Sequence, residues 1–137
     1  MIPLRRVPQR NWEKGDCGIA CVAMVAGVTY EEALIAFKAL PGRKEASNYY
    51  TTHREIEQML AHFNVRTSRM KFDSWRALSV HSIVKVNPDK SGRSWHWVVF
   101  DAGRAEAVIH DPKPGKRHLI RDFRGLRGNG YLIAAAG

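Results

Sequence analysis

Apolar residues change their spacing about halfway along this chain, from a helical pattern in the first half to a strand-like pattern in the second. Residues 17–25 form a continuous run of small and apolar side chains, and Gly27 follows as a natural stop. This pattern predicts a buried first helix over residues 17–26. Asp16, directly before the run, is a residue type that favours the N-cap position.

Two further helices follow in the first half of the chain. The second begins at Thr29, whose spacing to Glu32 is that of a capping box. The third begins at Thr51 or Thr52 and ends at Asn64. Both carry apolar residues at helical spacing along one face: Ala33, Leu34, Phe37 and Leu40 in the second helix, and Ile56, Met59, Leu60 and Phe63 in the third.

The second half of the chain has the short apolar runs and turn residues of β-strands. Helices followed by short strands indicate an α+β fold, with the N-terminal helices packed on a mainly antiparallel sheet. A length of 137 residues suits one core, and we assign residues 1–137 to a single domain. The pattern predicts a helical turn within 72–78 and strands over 65–70, 80–86, 95–101, 107–110, 118–120 and 131–135.

Composition narrows the range of partners. No apolar stretch approaches the roughly 18 residues of a membrane span, and the N-terminus lacks the apolar segment of a signal peptide. We therefore expect a protein without a membrane span that is cytoplasmic or exported by a non-Sec route. The net charge of +9, gathered at 5–10 and 113–127, favours acidic partners such as an acidic peptide or protein substrate. Nucleic acid is a partner supported by charge alone, because no nucleic-acid-binding motif accompanies it.

The candidate chemistry begins at Cys17, the first residue of the first predicted helix. Unpaired backbone N–H groups and the positive end of the helix dipole favour a thiolate at this position. Most free cysteines are simply small core residues, so the rest of the chain decides between the two interpretations. Cys21 lies one helical turn later, which is unfavourable for a disulfide, and we interpret it as core packing. Without a second Cys pair or a tight His cluster, the sequence predicts neither a metal nor a cofactor.

A cysteine nucleophile needs a base, and His96 is the best candidate among the six histidines. It stands near the start of a predicted strand, amid large apolar residues that make a packing role hard to explain. Asp111 ends the next strand and suits the group that orients the imidazole, because adjacent antiparallel strands bring such positions together. Its rival Asp101 is interpreted as a turn residue, and Asp111 followed by Pro112, taken alone, would also be interpreted as a turn. The other histidines are predicted on the surface of the third helix (His53, His62) or have no supporting context (His81, His118).

An oxyanion hole requires hydrogen-bond donors beside the nucleophile. The backbone N–H of Cys17 is one natural donor, and a side-chain amide from the preceding segment would complete the hole. Gln9 and Asn11 both lie in that segment, and both remain candidates.

The combination resembles the papain-like cysteine peptidases, specifically the bacteriocin-leader-processing (double-glycine) peptidases and their stand-alone relatives. In that family a Gln precedes an Asp-Cys-Gly-x-Ala-Cys stretch, a strand carrying His-Trp/Tyr-Val-Val comes later, and a further strand ends in Asp-Pro. Here these motifs are Gln9 and residues 16–21, 96–99 and 111–112. The resemblance covers the chain from about Val7 to Asp111.

This resemblance implies a papain-like fold and a role for each motif residue. Cys17 would be the nucleophile, His96 the base, Asp111 the orienting residue and Gln9 the amide of the oxyanion hole. Family members usually place the Gln six residues before the Cys, where this chain has Asn11. Asn11 is therefore the alternative oxyanion-hole residue.

The resemblance implies a thiol hydrolase, most simply a cysteine peptidase acting on a peptide or protein. The same constellation also supports deamidation, isopeptide cleavage or acyl transfer. Two alternatives belong to other classes: a catalytically degenerate papain-like domain that binds a peptide or protein, and a basic nucleic-acid-associated protein. A Cys, a His and an Asp in matching order favour the enzyme, because a binding domain needs none of them.

Overall fold

The helices precede the strands in the computed structural model, which describes residues 1–115 and 119–136. All strand pairs in this part of the chain are antiparallel, so the α+β arrangement is as predicted. The helices are α1 (Cys17–Ala26), α2 (Tyr30–Lys38) and α3 (His53–His62), with short 3-10 turns at Trp12–Lys14 and Trp75–Ala77; the strands are β1 (Thr67–Lys71), β2 (Ser82–Val86), β3 (His96–Asp101), β4 (Val108–His110) and β5 (Tyr131–Ala135).

Two of the three α-helices begin with a capping box formed by residues close together in the sequence. Thr29 caps α2 in the predicted capping box with Glu32. A second capping box, of Thr52 with Glu55, begins α3 and is not among the sequence-based predictions. Asp16 occupies the N-cap position of α1 as expected, but its side chain makes no capping hydrogen bond. Its carboxylate accepts instead from the backbone N–H groups of Arg10 and Asn11 in the preceding loop.

The sheet has the strand order β1-β5-β2-β3-β4. The last strand in sequence, β5, lies inside the sheet because its residues are largely buried and apolar, whereas β1 is polar, mostly exposed and forms an edge. Pairing of β3 with β4 sets Val99 opposite His110 and Asp101 opposite Val108. Continuing this register brings residue 111, just beyond β4, close to the start of β3.

Both faces of the sheet are buried, which explains the nearly continuous apolar runs of its central strands. On one face Trp97 and Val99 of β3 pack in the core that includes α1. On the other face Val98 and Phe100 pack in a second cluster, covered by aromatic residues from loops such as Trp75. Alternate residues of β3 thus serve the two layers. This arrangement places α1 directly against the strand that begins at His96.

Some predicted elements differ in extent from the observed ones. The strand predicted over 65–70 is Thr67–Lys71, and the helical turn within 72–78 is the 3-10 turn Trp75–Ala77. The strand predicted over 118–120 begins at a residue outside the described ranges. Ile120 itself forms an isolated bridge with Ile109.

None of the helices in residues 1–115 and 119–136 is long and apolar enough to cross a membrane by itself. α1 and α2 pass that test together by length and composition alone, with a bend of 117° between them. Burial of α1 in the core of the protein accounts for its apolar sequence.

Candidate active site

Cys17 begins α1, and its side chain borders a cleft while the residue remains 8% exposed. The backbone N–H groups of this first turn have no intrahelical acceptor. Gly18 permits the close packing around the thiol, since a Cβ at that position would lie 1.9 Å from Oγ1 of Thr51 and 3.2 Å from the ring of Trp97. The glycine after the cysteine therefore has a steric reason to be there.

His96 and Asp111 meet at the end of the β3–β4 pair. His96 is the first residue of β3, and Asp111 follows the last residue of β4 directly. Nε2 of His96 donates to Oδ1 of Asp111 at 2.7 Å. The structure thus brings together the two residues that the strand pattern placed on neighbouring strands. With Nε2 bound to the carboxylate, the other ring nitrogen is left for the thiol.

The electrostatics of His96 link it to Cys17 as well as to Asp111. Burial lowers the pKa of His96, but the hydrogen bond to Asp111 and the hydrogen bond and charge of Cys17 outweigh it. Together they raise the pKa to about 9. An imidazolium between a carboxylate and a thiolate is the charge arrangement that an activated cysteine requires.

Asp101, the rival candidate for the orienting residue, has other partners. Its carboxylate accepts from the N–H of Gly103, which makes the predicted turn, and from Nε2 of His110 at 2.8 Å. It also accepts from the backbone N–H of Leu4 and from Nε of Arg104. Asp101 therefore fastens the N-terminal segment and the hairpin rather than His96.

The N-terminal segment runs beside the Asp111 turn and positions Gln9. Nε of Arg6 donates to the carbonyl of Asp111 at 3.0 Å, and the N–H of Gln9 donates to the carbonyl of Pro112 at 2.8 Å. Nε2 of Gln9 donates to Oδ1 of Asp16 at 2.9 Å. Gln9 is consequently held between the residue after Asp111 and the residue before Cys17.

Asn11 lies in the same loop, but its amide has a different partner. Nδ2 of Asn11 donates to the hydroxyl of Tyr30 at 2.9 Å, and its backbone N–H donates to Oδ2 of Asp16 at 2.8 Å. Asp16 and Tyr30 therefore organise the segment before Cys17, a role that the sequence did not predict. The available signal was an acidic residue directly before a Cys that begins an apolar helix.

Where the structure describes them, the other candidate histidines lie outside the His96–Asp111 contact. His62 is exposed, as predicted. His53 is half-buried on α3, where its Nε2 binds the carbonyl of Tyr131 at 2.7 Å and its ring packs 4.9 Å from that of Trp97. Nε2 of His81 lies 2.8 Å from the carbonyl of Ile2. His118 lies outside the described residues.

Cys21 is fully buried in the core, in agreement with its interpretation as a packing residue. Burial, followed by the nearby charges of Cys17, Asp111 and Asp16, raises the pKa of the Cys21 thiol well above its usual range. Cys21 therefore stays protonated and inaccessible in the core, whereas Cys17 borders the cleft.

A cleft of about 340 Å³ opens beside Cys17. Its walls include the aromatic rings of Tyr50, Trp95 and Trp97 together with Thr51. A larger cavity of about 920 Å³ lies elsewhere, between the N-terminal segment and the end of α1, and contains none of Cys17, His96 and Asp111. Of these two cavities, the smaller cleft is the one that Cys17 lines.

Comparison with known proteins places this site in a family. The sequence matches the family model of the peptidase C39 family over residues 6–123. The chain belongs to the peptidase C39 family. Cys17, His96, Asp111 and Gln9 all fall within the matched range. Membership indicates a cysteine peptidase, a hydrolase of peptide bonds.

A solved structure confirms the fold of this C39-family chain. The chain is similar to a double glycine motif protease from an AMS/PCAT transporter, crystallised in complex with the leader peptide. The two share 15% sequence identity with a TM-score of 0.63, over 97% of this chain and 92% of the other. The expected papain-like α+β fold is therefore confirmed. A search among curated proteins finds no match.

Proposed function

We propose that this C39-family domain cleaves peptide bonds through a triad of Cys17, His96 and Asp111. The observation that carries the proposal is the hydrogen bond of 2.7 Å between Nε2 of His96 and Asp111. The influence of Cys17, which together with Asp111 raises the pKa of His96, supports it. In this proposal the His96 ring serves a nucleophile on one side and an orienting carboxylate on the other, as nucleophilic catalysis requires.

The reaction follows from these contacts in two halves. The Cys17 thiolate attacks the scissile carbonyl carbon, and a tetrahedral oxyanion forms. The oxyanion collapses as the C–N bond breaks, and the His96 imidazolium gives its proton to the leaving amine. Water then attacks the thioester while neutral His96 accepts its proton. Breaking the C–S bond releases the carboxylic acid and restores the thiolate–imidazolium pair.

We assign the oxyanion hole to the backbone N–H of Cys17 and the side-chain amide of Gln9. Gln9 is anchored on both sides of the triad, at Asp16 and at Pro112. Gln9 is favoured over Asn11 because the bonds of Gln9 lie next to Cys17 and next to Asp111, whereas the amide of Asn11 bonds to Tyr30 of α2. Removal of one oxyanion-hole donor costs about 10²- to 10³-fold in turnover in other enzymes.

The substrate that we propose is a peptide with small residues before the scissile bond. Aromatic rings of Tyr50, Trp95 and Trp97 wall the cleft beside Cys17 and limit the room for side chains. The similar protease is named for a double glycine motif and was crystallised with a leader peptide. A Gly-Gly pair is therefore the first sequence to test.

The test uses a peptide ending in Leu-Gly-Gly joined to a fluorogenic amine. We expect release of the amine by the unaltered protein and its loss in Cys17→Ala. Cys21→Ala is the matched control, because that cysteine lies in the core, and it retains cleavage if folded. Cleavage that persists in Cys17→Ala, or is lost equally in a folded Cys21→Ala, would contradict the proposal.

A further inference from the structure

Asp16 is a buried carboxylate that the proposed reaction does not use. It is 0% exposed, and four donors converge on its two oxygens. Nε2 of Gln9 donates to Oδ1 at 2.9 Å. Oδ2 accepts from the backbone N–H groups of Arg10 at 3.1 Å and Asn11 at 2.8 Å, and from the hydroxyl of Tyr30 at 2.5 Å. A buried charge is retained only with such full pairing, so this network is built around Asp16.

We propose that Asp16 is a positioning residue that fixes which end of the Gln9 side-chain amide faces the reaction centre. This inference rests on the proposed function, in which Gln9 is an oxyanion donor. An amide side chain has nearly the same shape in its two orientations, but one end donates and the other accepts. An ionised carboxylate only accepts, so Asp16 binds Nε2 and rejects Oε1.

The chosen orientation leaves a donor for catalysis. Nε2 carries two hydrogens, and Asp16 takes one of them. The second is available to the oxyanion that forms on the carbonyl attacked by Cys17. In the reversed orientation the carbonyl oxygen of the Gln9 side chain would face the forming oxyanion. Two negatively polarised oxygens repel each other, so the oxyanion would be destabilised.

The backbone of Gln9 has an anchor that does not involve Asp16. The N–H of Gln9 donates to the carbonyl of Pro112 at 2.8 Å, whatever Asp16 does. In Asp16→Asn the remaining oxygen can still accept from the N–H groups of Arg10 and Asn11, so Gln9 is expected to stay in place with its amide free to turn. This separation makes the role of Asp16 testable.

Asp16→Asn keeps the shape and replaces one acceptor oxygen with a donor. Three of the four donors lie on the Oδ2 side, so the remaining oxygen is expected to face that side. The new NH₂ group would then face Gln9 and draw Oε1 toward it. We expect kcat on the Leu-Gly-Gly substrate to fall by about 10²- to 10³-fold, as for loss of an oxyanion donor. Alkylation of Cys17 by iodoacetamide forms no oxyanion, so its rate is retained.

A double-mutant cycle separates positioning from a general effect on the fold. Because Asp16 acts through the amide of Gln9, Asp16→Asn is expected to add no loss in a Gln9→Ala background. The matched control is Asp101→Asn, since Asp101 is also 0% exposed and also holds the N-terminal segment, through Leu4. That substitution should show no coupling to Gln9→Ala.

A spectroscopic readout tests the orientation without any substrate. The side-chain ¹⁵N resonance of Gln9, identified by its disappearance in Gln9→Ala, is expected to shift in Asp16→Asn and stay in place in Asp101→Asn. An unshifted resonance, additive losses in the cycle or slowed alkylation in Asp16→Asn would each overturn the inference. Failure of the peptidase proposal is distinguishable from failure of this inference. In that case the unaltered protein releases no amine, while the Gln9 resonance still reports the orientation of the side-chain amide.

Discussion

Two histidine–aspartate pairs connect β3 and β4, and they behave in opposite ways. His96 binds Asp111 at 2.7 Å and His110 binds Asp101 at 2.8 Å, both through Nε2. The pKa of His96 is raised to about 9 despite its burial. The pKa of His110 is lowered, because burial outweighs its bond to Asp101.

The difference comes from the third neighbour of each ring. His96 also meets Cys17, whose hydrogen bond and negative charge stabilise the imidazolium. His110 is 0% exposed, its Nδ1 has no hydrogen-bond partner among the described residues, and the nearby cations Arg104 and Arg6 disfavour a second charge. The same kind of pair therefore has a raised histidine pKa in one place and a lowered one in the other, and we propose a catalytic role only for the pair that has Cys17 as a neighbour.

Replacing each histidine in turn by glutamine should give the largest difference between the two pairs. His96→Gln is expected to lower kcat/KM on the Leu-Gly-Gly substrate by about 10³-fold, since it removes the general acid–base. His110→Gln should cost less than about tenfold in kcat/KM, but lower the free energy of unfolding by about 1–3 kcal/mol through a lost buried hydrogen bond. Steady-state kinetics and urea unfolding measure the two. Equal kinetic losses in both variants would remove the distinction.

Replacing each aspartate in turn by asparagine tests the same difference through the pH dependence of kcat/KM. The imidazolium of His96 is present below its pKa of about 9, so kcat/KM should decline as the pH rises through about 9. Asp111→Asn removes a contribution that raises this pKa, and the decline should move to lower pH, with a lower maximum. Asp101→Asn, the control, should leave its position unchanged. An alkaline limb insensitive to Asp111→Asn would show that Asp111 does not orient His96.

The smallest expected effect is on stability in acid. The folded-state pKa of His110 lies below its unfolded value of about 6.5, so the unfolded chain binds this proton more readily. The free energy of unfolding should therefore fall as the pH drops below about 6.5. Burial also lowers the pKa of His53, which adds to the slope with the same sign. Urea unfolding of His110→Gln between pH 7 and pH 5 should give a shallower slope, whereas an identical slope would refute the assignment.

Local patterns in the sequence predicted much of the fold and the His96–Asp111 contact. The helix over 17–26 and the strand over 131–135 have the predicted bounds, because their apolar runs end at clear turn residues. His96 and Asp111 are 15 residues apart on neighbouring strands, so the topology of a hairpin was enough to pair them.

Contacts between residues far apart in the chain could not be predicted from local sequence patterns. Asp101 binds Leu4 across 97 residues and Arg6 binds Asp111 across 105, and no periodicity encodes such pairs. The place of β5 inside the sheet depends on competition among strands for burial. For His110, a polar residue in an apolar strand opposite Val99 was a usable but ambiguous signal.

Competitive alkylation of the two cysteines tests the central claim most directly. Iodoacetamide at a pH between 6 and 7, with the labelled residue identified by mass spectrometry, compares Cys17 with the buried Cys21 in the same molecule. We expect fast, selective labelling of Cys17 that is lost in His96→Ala. Equal and slow labelling of both cysteines, or fast labelling of Cys17 that survives His96→Ala, would contradict it.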